Sequence, residues 1–332
     1  MSRYRLREKI FRGKLMNKKM IVDICGADAA PAIIMAGAVD ALRDQNEYDI
    51  VLCGPKEVID DGLGECQEDI LQRIEVVYAQ EAVTNYDNPT EVIRGKNETS
   101  MVKALCTLKE RDDIVGMVSA GCTGSLLVGS IFRLGLFKGL KQPSLSSALL
   151  NTDRRYFCLC DCGANMSREV KDIVDYAIMG SAFMEAMNGV ESPRVGLVNV
   201  GKEKGKGNDL AKECYDALEA EQSINFIGNI EGSDVLTDKA DVVVCDGFTG
   251  NILLKTIEAA GMIAARMAGS PENIVSFFDY NSQGGATFLG TKKIIVKAHG
   301  AAGRETIKAC LDQGWRLEKG GFISKMASRM NR

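Results

Sequence analysis

The sequence predicts an α/β protein on a mostly parallel sheet, on three observations. Short apolar runs recur along the chain, and at least four of them close on a polar, glycine-bearing turn that opens a helix-like stretch. A chain of 332 residues, 45% hydrophobic and 26% charged, has the composition of a folded protein with a substantial core. No apolar run approaches the roughly 20 residues that cross a bilayer and no signal-peptide pattern opens the chain, so a cytoplasmic protein is expected.

The first apolar run, residues 18–24, breaks at Cys25-Gly26-Ala27-Asp28, and Pro31 stands where a first helical turn begins. Residues 50–53, which end at Gly54-Pro55, and residues 73–78, with two adjacent valines, read as buried parallel strands. A polar connection through Asn88-Pro89 leads to Arg94, Lys96, Thr99 and Ser100, ahead of a helix over 101–110. Two cations and two hydroxyls at a helix entrance suit a phosphate or an acidic partner; a solvated, capped helix start accounts for them nearly as well.

Between the apolar run 114–118 and the amphipathic run 126–134 lies the turn Ser119-Ala120-Gly121-Cys122-Thr123-Gly124-Ser125. First-turn N–H groups have no partner within the helix, so such a turn offers a seat for phosphate or a developing oxyanion. Gly121 and Gly124 let the backbone approach the anion, and Ser119, Thr123 and Ser125 add hydroxyl donors. A turn of this composition also serves simply to cap a helix.

Farther on, residues 144–150 and 156–160 read as neighbouring strands joined by a hairpin through Asn151-Thr152-Asp153. The second runs into Asp161-Cys162-Gly163-Ala164-Asn165, and a helical stretch follows to about residue 187. Residues 194–200 are a further strand, closed by Gly201-Lys202-Glu203-Lys204-Gly205-Lys206-Gly207-Asn208, which suits a phosphoanion or a plain surface loop. Residues 241–245 close on Asp246-Gly247-Phe248-Thr249-Gly250-Asn251, the start of a helix carrying Lys255. His299, the only histidine, follows a strand over 294–297. In an open parallel sheet the loops at the carboxyl ends of the strands crowd one crevice, so all these turns are expected to converge.

Charge is unevenly placed. Residues 1–19 carry eight cations against one acid, a net +7, which leaves −11 for the rest of a chain whose total is −4. Residues 1–17 form a basic arm with interleaved apolar side chains, read either as an interfacial helix on anionic lipid or as a disordered leader ahead of a start at Met16 or Met20. The acidic body gives no expectation of a nucleic-acid partner. Eleven cysteines without a paired framework point to thiols in a reducing compartment. Cys158, Cys160 and Cys162 alternate on what reads as one strand face, and core packing is preferred to a metal site because neither zinc spacing nor a nearby histidine accompanies them.

Dinucleotide and nucleotide phosphate-loop fingerprints are absent, as is a serine-nucleophile elbow. The ordered motifs instead resemble the bacterial phosphate acyltransferase of phospholipid synthesis, also called acyl-acyl carrier protein:phosphate transacylase, over about residues 18–310. They are Val-Asp-x-x-Gly-x-Asp-x-x-Pro at 22–31, Ser-Ala-Gly-x-Thr-Gly at 119–124, Asp-x-Gly-Ala-Asn at 161–165 and Met-Gly-Ser-Ala at 179–182. Gly-x-Glu-x-x-Lys-Gly-Asn at 201–208, Asn-Phe-Ile-Gly-Asn-x-Glu-Gly at 225–232, Asp-Gly-Phe-Thr-Gly-Asn at 246–251 and Lys-Ala-His-Gly at 297–300 follow.

The resemblance implies a three-layer α/β/α fold related to isopropylmalate dehydrogenase and phosphotransacetylase, one catalytic domain over 18–332, and a homodimer. It implies transfer of a fatty acyl group from acyl carrier protein to inorganic phosphate, giving acyl phosphate for the glycerol-3-phosphate acyltransferase at the inner face of the membrane. No metal or organic cofactor is implied. Phosphate is already a nucleophile, so the chain's task is to hold it against the thioester and stabilise the oxyanion. Lys206, Asn208 and the Thr123 hydroxyl are expected to hold phosphate, with N–H groups near Gly121 and Gly124 or Gly250 and Asn251 on the oxyanion. Asp161, Asn165 and Asp246 are expected to position donors, and His299 to protonate the departing thiolate or orient phosphate. Asp28, Arg94, Lys96 and Lys255 are candidate substrate contacts.

Three departures from the family pattern stand out. Ala29 replaces a histidine, and Cys122 replaces the asparagine of Ser-Ala-Gly-Asn-Thr-Gly, which admits an acyl-cysteine route but reads better as a tolerated substitution. The segment 261–284 is much shorter than the family's helical insert, which is associated with subunit pairing and membrane contact. The alternatives are a short-chain phosphotransacylase using coenzyme A thioesters and a non-catalytic paralogue that binds acyl carrier protein or acyl phosphate.

Overall fold

In the computed structural model, which describes residues 17–84, 86–95, 98–166, 169–269, 271–279 and 283–330, eleven strands form one sheet. They are β1 (Lys19–Asp23), β2 (Asp49–Gly54), β3 (Ile74–Tyr78), β4 (Ile114–Ser119), β5 (Ser144–Leu150), β6 (Tyr156–Cys160), β7 (Arg194–Val198), β8 (Asn225–Ile230), β9 (Val242–Val244), β10 (Ala286–Leu289) and β11 (Ile294–Lys297). The helices among the described residues are α1 (Pro31–Asp44), α2 (Lys56–Gly64), α3 (Glu68–Leu71), α4 (Pro89–Gly95), α5 (Ser100–Glu110), α6 (Thr123–Gly129), α7 (Val170–Asn188), α8 (Asp209–Ala220), α9 (Gly247–Met267), α10 (Glu272–Phe278), α11 (Arg304–Lys319) and α12 (Phe322–Met330). A π-helical turn, Ser130–Leu134, extends α6, so the amphipathic run ends where the sequence places it.

The strand order is β3-β2-β1-β4-β11-β10-β5-β6-β9-β7-β8. β3, β2, β1, β4 and β11 are mutually parallel, and so are β6, β9, β7 and β8. The two blocks point in opposite directions, because β10 is antiparallel to both β11 and β5, and β5 is antiparallel to β6. The reversal at β5 is the hairpin expected from the sequence. Asn151 Oδ1 accepts the N–H groups of Asp153 at 3.0 Å and Arg155 at 2.9 Å, and Arg154 takes the left-handed conformation at φ 57°.

Both faces of the sheet are covered, as a three-layer fold requires. One face carries a single continuous core in which Ile34, Leu42, Phe183, Leu218 and Leu311 pack over Met20, Leu52, Cys158 and Val242. The opposite core is divided: Leu105 and Leu126 lie with Ile21, Met117 and Phe288, whereas Leu254 lies with Leu149, Leu159 and Val243. No helix of the described residues is long and apolar enough to cross a membrane.

Several details differ from expectation. β3 is an edge strand of the sheet and half-buried, because no further strand pairs with its outer side; β2 is the buried strand of that pair. Cys158 and Cys160 share one core, but β6 ends at Cys160, so the alternation does not reach Cys162, which packs in a different core. All three are buried and all eleven cysteines are free thiols. β8 and β10 arise from stretches with no clear strand signal, and residues 1–16 lie outside the described residues.

Candidate active site

β1, β4 and β11 finish side by side, with Asp23 level with Ser119 and Ser119 level with Lys297. Asp23 is 1% exposed. Its Oδ2 accepts the Ser119 hydroxyl at 2.8 Å, and its Oδ1 accepts the Cys25 N–H at 3.2 Å. The Ser119 Oγ in turn accepts the Gly121 N–H at 3.1 Å. Burial raises the Asp23 carboxyl to about 6 against the pull of these donors. Gly26, at φ +82°, lets the loop after β1 meet this turn, since a Cβ there would lie 2.9 Å from Gly121 Cα.

The turn ends in an open helix start. Cys122 is the N-cap residue of α6 and its side chain makes no capping bond; the Leu126 N–H finds Cys122 O at 3.0 Å. The N–H groups of Thr123, Gly124 and Ser125 are thus the orphan donors of the first turn. Of the three hydroxyls expected to add donors, only Thr123 is exposed; Ser119 and Ser125 are fully buried, and Ser119 is already committed to Asp23. The Gly121 N–H is likewise committed, so the anion-facing donors begin at Thr123.

His299 stands in the exposed loop after β11. Its Nδ1 accepts the Ala301 N–H at 3.2 Å, which places the proton of the neutral ring on Nε2. Asp28 is exposed beside this loop and its N–H donates to Gly300 O at 2.8 Å. α4 lies against α6, with Pro89 Cγ 3.4 Å from a Cβ placed on Gly124, and Arg94 in the last turn of α4 is exposed. Lys96 lies outside the described residues.

The remaining turns sit at the opposite end of the sheet. At the end of β6, Asp161 accepts the N–H groups of Leu145, Gly163, Ala164 and Asn165, and burial still raises its carboxyl above the ordinary value. Asn165 spends its amide N–H groups on Pro143 O at 2.5 Å and Asp161 Oδ2 at 3.3 Å. Asp246 caps α9 through Phe248 N and Thr249 N, both at 3.0 Å, and takes the Thr249 hydroxyl at 2.6 Å. The Gly250 N–H donates to Asp246 O at 2.9 Å, and Asn251, inside α9, gives its side-chain N–H to Cys162 O at 3.1 Å. The expectation that the N–H groups of Gly250 and Asn251 face an oxyanion is therefore corrected, because the helix and its cap use these donors.

Beyond β7, Asn208 is the N-cap of α8 and accepts the Ala211 N–H at 2.8 Å. Lys202 pairs with Asp234 at 3.3 Å and Lys204 with Glu219 at 2.5 Å, whereas Lys206 is exposed with no carboxylate in ion-pair range among the described residues. Lys255 is paired with Glu258 at 3.0 Å on the surface of α9.

The strand order corrects the expected convergence. Lys297, Ala286, Ser147 and Leu159 lie at one level across β11, β10, β5 and β6, and from there the two parallel blocks finish in opposite directions. Between β4, which leads to Thr123, and β7, which leads to Lys206, lie six strand spacings, roughly 29 Å at about 4.8 Å each. A lysine side chain does not bridge that span, so Thr123 and Lys206 of one chain do not grip the same phosphate. The groups brought together are Asp23, Ser119, the open start of α6, His299 and Lys297. Asp23 and Lys297 stand in the motifs at 22–31 and 297–300 but carry no site role in the sequence-based expectations.

A family model described as fatty acid synthesis protein matches residues 18–273. A phosphate acyltransferase of Clostridioides difficile is 36% identical over 324 residues, spanning 92% of this chain and 94% of that protein. One from Syntrophomonas wolfei is 37% identical over 293 residues, spanning 87% and 91%. Among solved structures, a phosphotransacetylase from Streptococcus pyogenes superposes with a TM-score of 0.63 at 15% identity, covering 98% of this chain and 100% of that one. A branched-chain phosphotransacylase from Enterococcus faecalis gives 0.61 at 14% identity, covering 90% and 98%. At such identities the structural likeness concerns the fold.

Proposed function

The chain belongs to the phosphate acyltransferase family, and we propose that it moves a fatty acyl group from acyl carrier protein to inorganic phosphate at the start of α6, releasing acyl phosphate for phospholipid synthesis. The observation that carries this reading is the uncapped first turn of α6, clamped from behind by Asp23 and Ser119, with His299 in the loop after the neighbouring strand β11. An anion there meets the N–H groups of Thr123, Gly124 and Ser125, the Thr123 hydroxyl and the positive end of the helix.

In this reading a phosphate oxygen attacks the thioester carbonyl carbon. The C–O bond forms, the carbonyl becomes a tetrahedral oxyanion, and the C–S bond then breaks as the oxyanion collapses. The electron pair leaves on the carrier's sulfur as a thiolate, which the His299 Nε2–H can hydrogen-bond and which takes its proton from water. No protein nucleophile is required, so Cys122 serves as a helix-start residue rather than an acyl carrier.

The test is phosphate-dependent release of thiol from purified long-chain acyl-acyl carrier protein, run beside the matching coenzyme A thioester. Thiol release that needs phosphate and prefers the carrier-bound donor is expected. Preference for a short-chain coenzyme A thioester would transfer the reading to a phosphotransacylase, and binding without release would make the chain a non-catalytic relative.

A further inference from the structure

Lys297 closes β11 and is 8% exposed, yet no carboxylate lies in ion-pair range of it among the described residues. Lys19, equally buried at 4% exposed, is paired with Asp113 at 2.7 Å and Glu75 at 3.3 Å. The Lys297 ammonium instead donates to two backbone carbonyls, Ala120 O at 3.5 Å and Ala298 O. Ala120 belongs to the turn before α6, and Ala298 precedes His299 and donates its own N–H to Ser119 O at 3.0 Å. The titratable groups that face the amine are Asp23 at the end of β1, Asp28 in the loop beyond it, Cys122 in the turn and Cys310 on α11. A buried ammonium held by carbonyls alone is costly to keep, and an apolar side chain would fill the same space. Its charge lies against Ala120, two residues before Cys122 at the open helix start.

We propose that Lys297 is a positioning residue for the anion seat, tying the turn before α6 to the His299 loop through the carbonyls of Ala120 and Ala298 and setting a fixed positive charge behind the bound anion. The inference rests on the reading of α6 as the phosphate seat. Burial lowers the amine to about 8, so the charge is present at neutral pH and lost in mild alkali.

Sulfate tests this, because it keeps one charge state where phosphate titrates. Its binding to the full chain is measured by calorimetry, and its inhibition of phosphate-dependent acyl release by kinetics, from pH 6.5 to 9.5. Wild type is expected to lose about fivefold or more in sulfate affinity around pH 8. Lys297→Met should bind weakly with no such midpoint, and Lys297→Arg should stay tight across the range because its charge does not titrate there. Fluorescence of Trp315, which packs against Tyr48 with ring centroids 5.2 Å apart on the helix behind β11, reports whether each variant is folded. A Lys297→Met variant with wild-type affinity, or a Lys297→Arg variant that keeps the midpoint near 8, overturns the proposal; the arginine variant decides alone if the methionine variant does not fold. Absence of phosphate-dependent acyl release in wild type would instead refute the function, with the sulfate titrations still readable.

Discussion

The Asp23 carboxylate and the Ser119 hydroxyl meet at 2.8 Å across the neighbouring ends of β1 and β4, both almost wholly out of solvent. That contact has a thermodynamic signature. Burial raises Asp23 from 3.8 to about 6, so between those values the native state holds a proton that the unfolded chain has released. Stability therefore falls as pH rises through this window, and the loss is complete above about pH 6. A shift of about two units corresponds to about 3 kcal/mol. Asp23→Asn removes this dependence, so urea unfolding should show the variant gaining about 2–3 kcal/mol on wild type between pH 4 and pH 7. Other carboxyls titrate in both proteins and cancel. A difference that stays flat with pH would mean Asp23 is not the buried acid described here.

A second prediction concerns how α9 is seated. A Cβ on Gly250 would lie 1.9 Å from Asp161 O, and one on Gly247 2.1 Å from Asn165 O. Both obstacles are backbone atoms of the turn that Asp161 organises, so no side-chain rotation relieves them. Gly250→Ala should cost about 3 kcal/mol or more in urea unfolding. Gly64, at the end of α2, has nothing within 4 Å of its Cβ position. Gly64→Ala should be neutral or stabilising by up to about 1 kcal/mol. Equal effects at the two positions would remove the packing argument.

His299 supplies a third. With Nδ1 accepting the Ala301 N–H, Nε2 is the nitrogen that can donate to a leaving sulfur or to phosphate. Glutamine reaches the Nε2 position with an amide and asparagine does not. His299→Ala and His299→Asn should each lower kcat/KM by about 100-fold, with His299→Gln distinctly less impaired if the group orients phosphate. If proton transfer is the task, glutamine should be as poor as alanine. Near-normal turnover in all three would take His299 out of the site.

The hairpin at Asn151 shows how much of the architecture was legible. Its turn chemistry and the two flanking strands are plain in the sequence, and the apolar runs give the strands of both parallel blocks except β8. The consequence was harder to read: the hairpin between β5 and β6 reverses the strands from β6 to β10, until β11 turns back to join the first block, so polar glycine turns finish at opposite ends of one sheet. Composition also hides capping. Asp246 and Asn208 look like ligand-facing polar groups, but each satisfies the N–H groups of its own helix, whereas Cys122 cannot and leaves α6 open. β10 went unread because its four residues carry no alternation, and Lys297 because a single charge after an apolar run resembles an ordinary strand end.

Thr123 and Lys206 provide the last prediction. Both are exposed, both close a glycine turn, and both suit an anion, but six strand spacings separate the strands that lead to them. Thr123→Val removes a hydroxyl from the seat at α6, and a hydrogen bond to a charged group is worth about 1.5–3 kcal/mol. The phosphate KM should rise about tenfold or more. Lys206, at the far end of the sheet, has no carboxylate in ion-pair range among the described residues, and its exposed charge suits an acidic partner. Lys206→Ala should raise the KM for acyl carrier protein, more strongly at low salt, and leave the phosphate KM within about twofold. Sites this far apart without shared partners act independently, so in the double variant the two losses in kcat/KM should add to within about 0.5 kcal/mol. A coupling above about 1 kcal/mol would show that the two residues serve one ligand, which within a single chain the sheet forbids and which only a second copy could arrange.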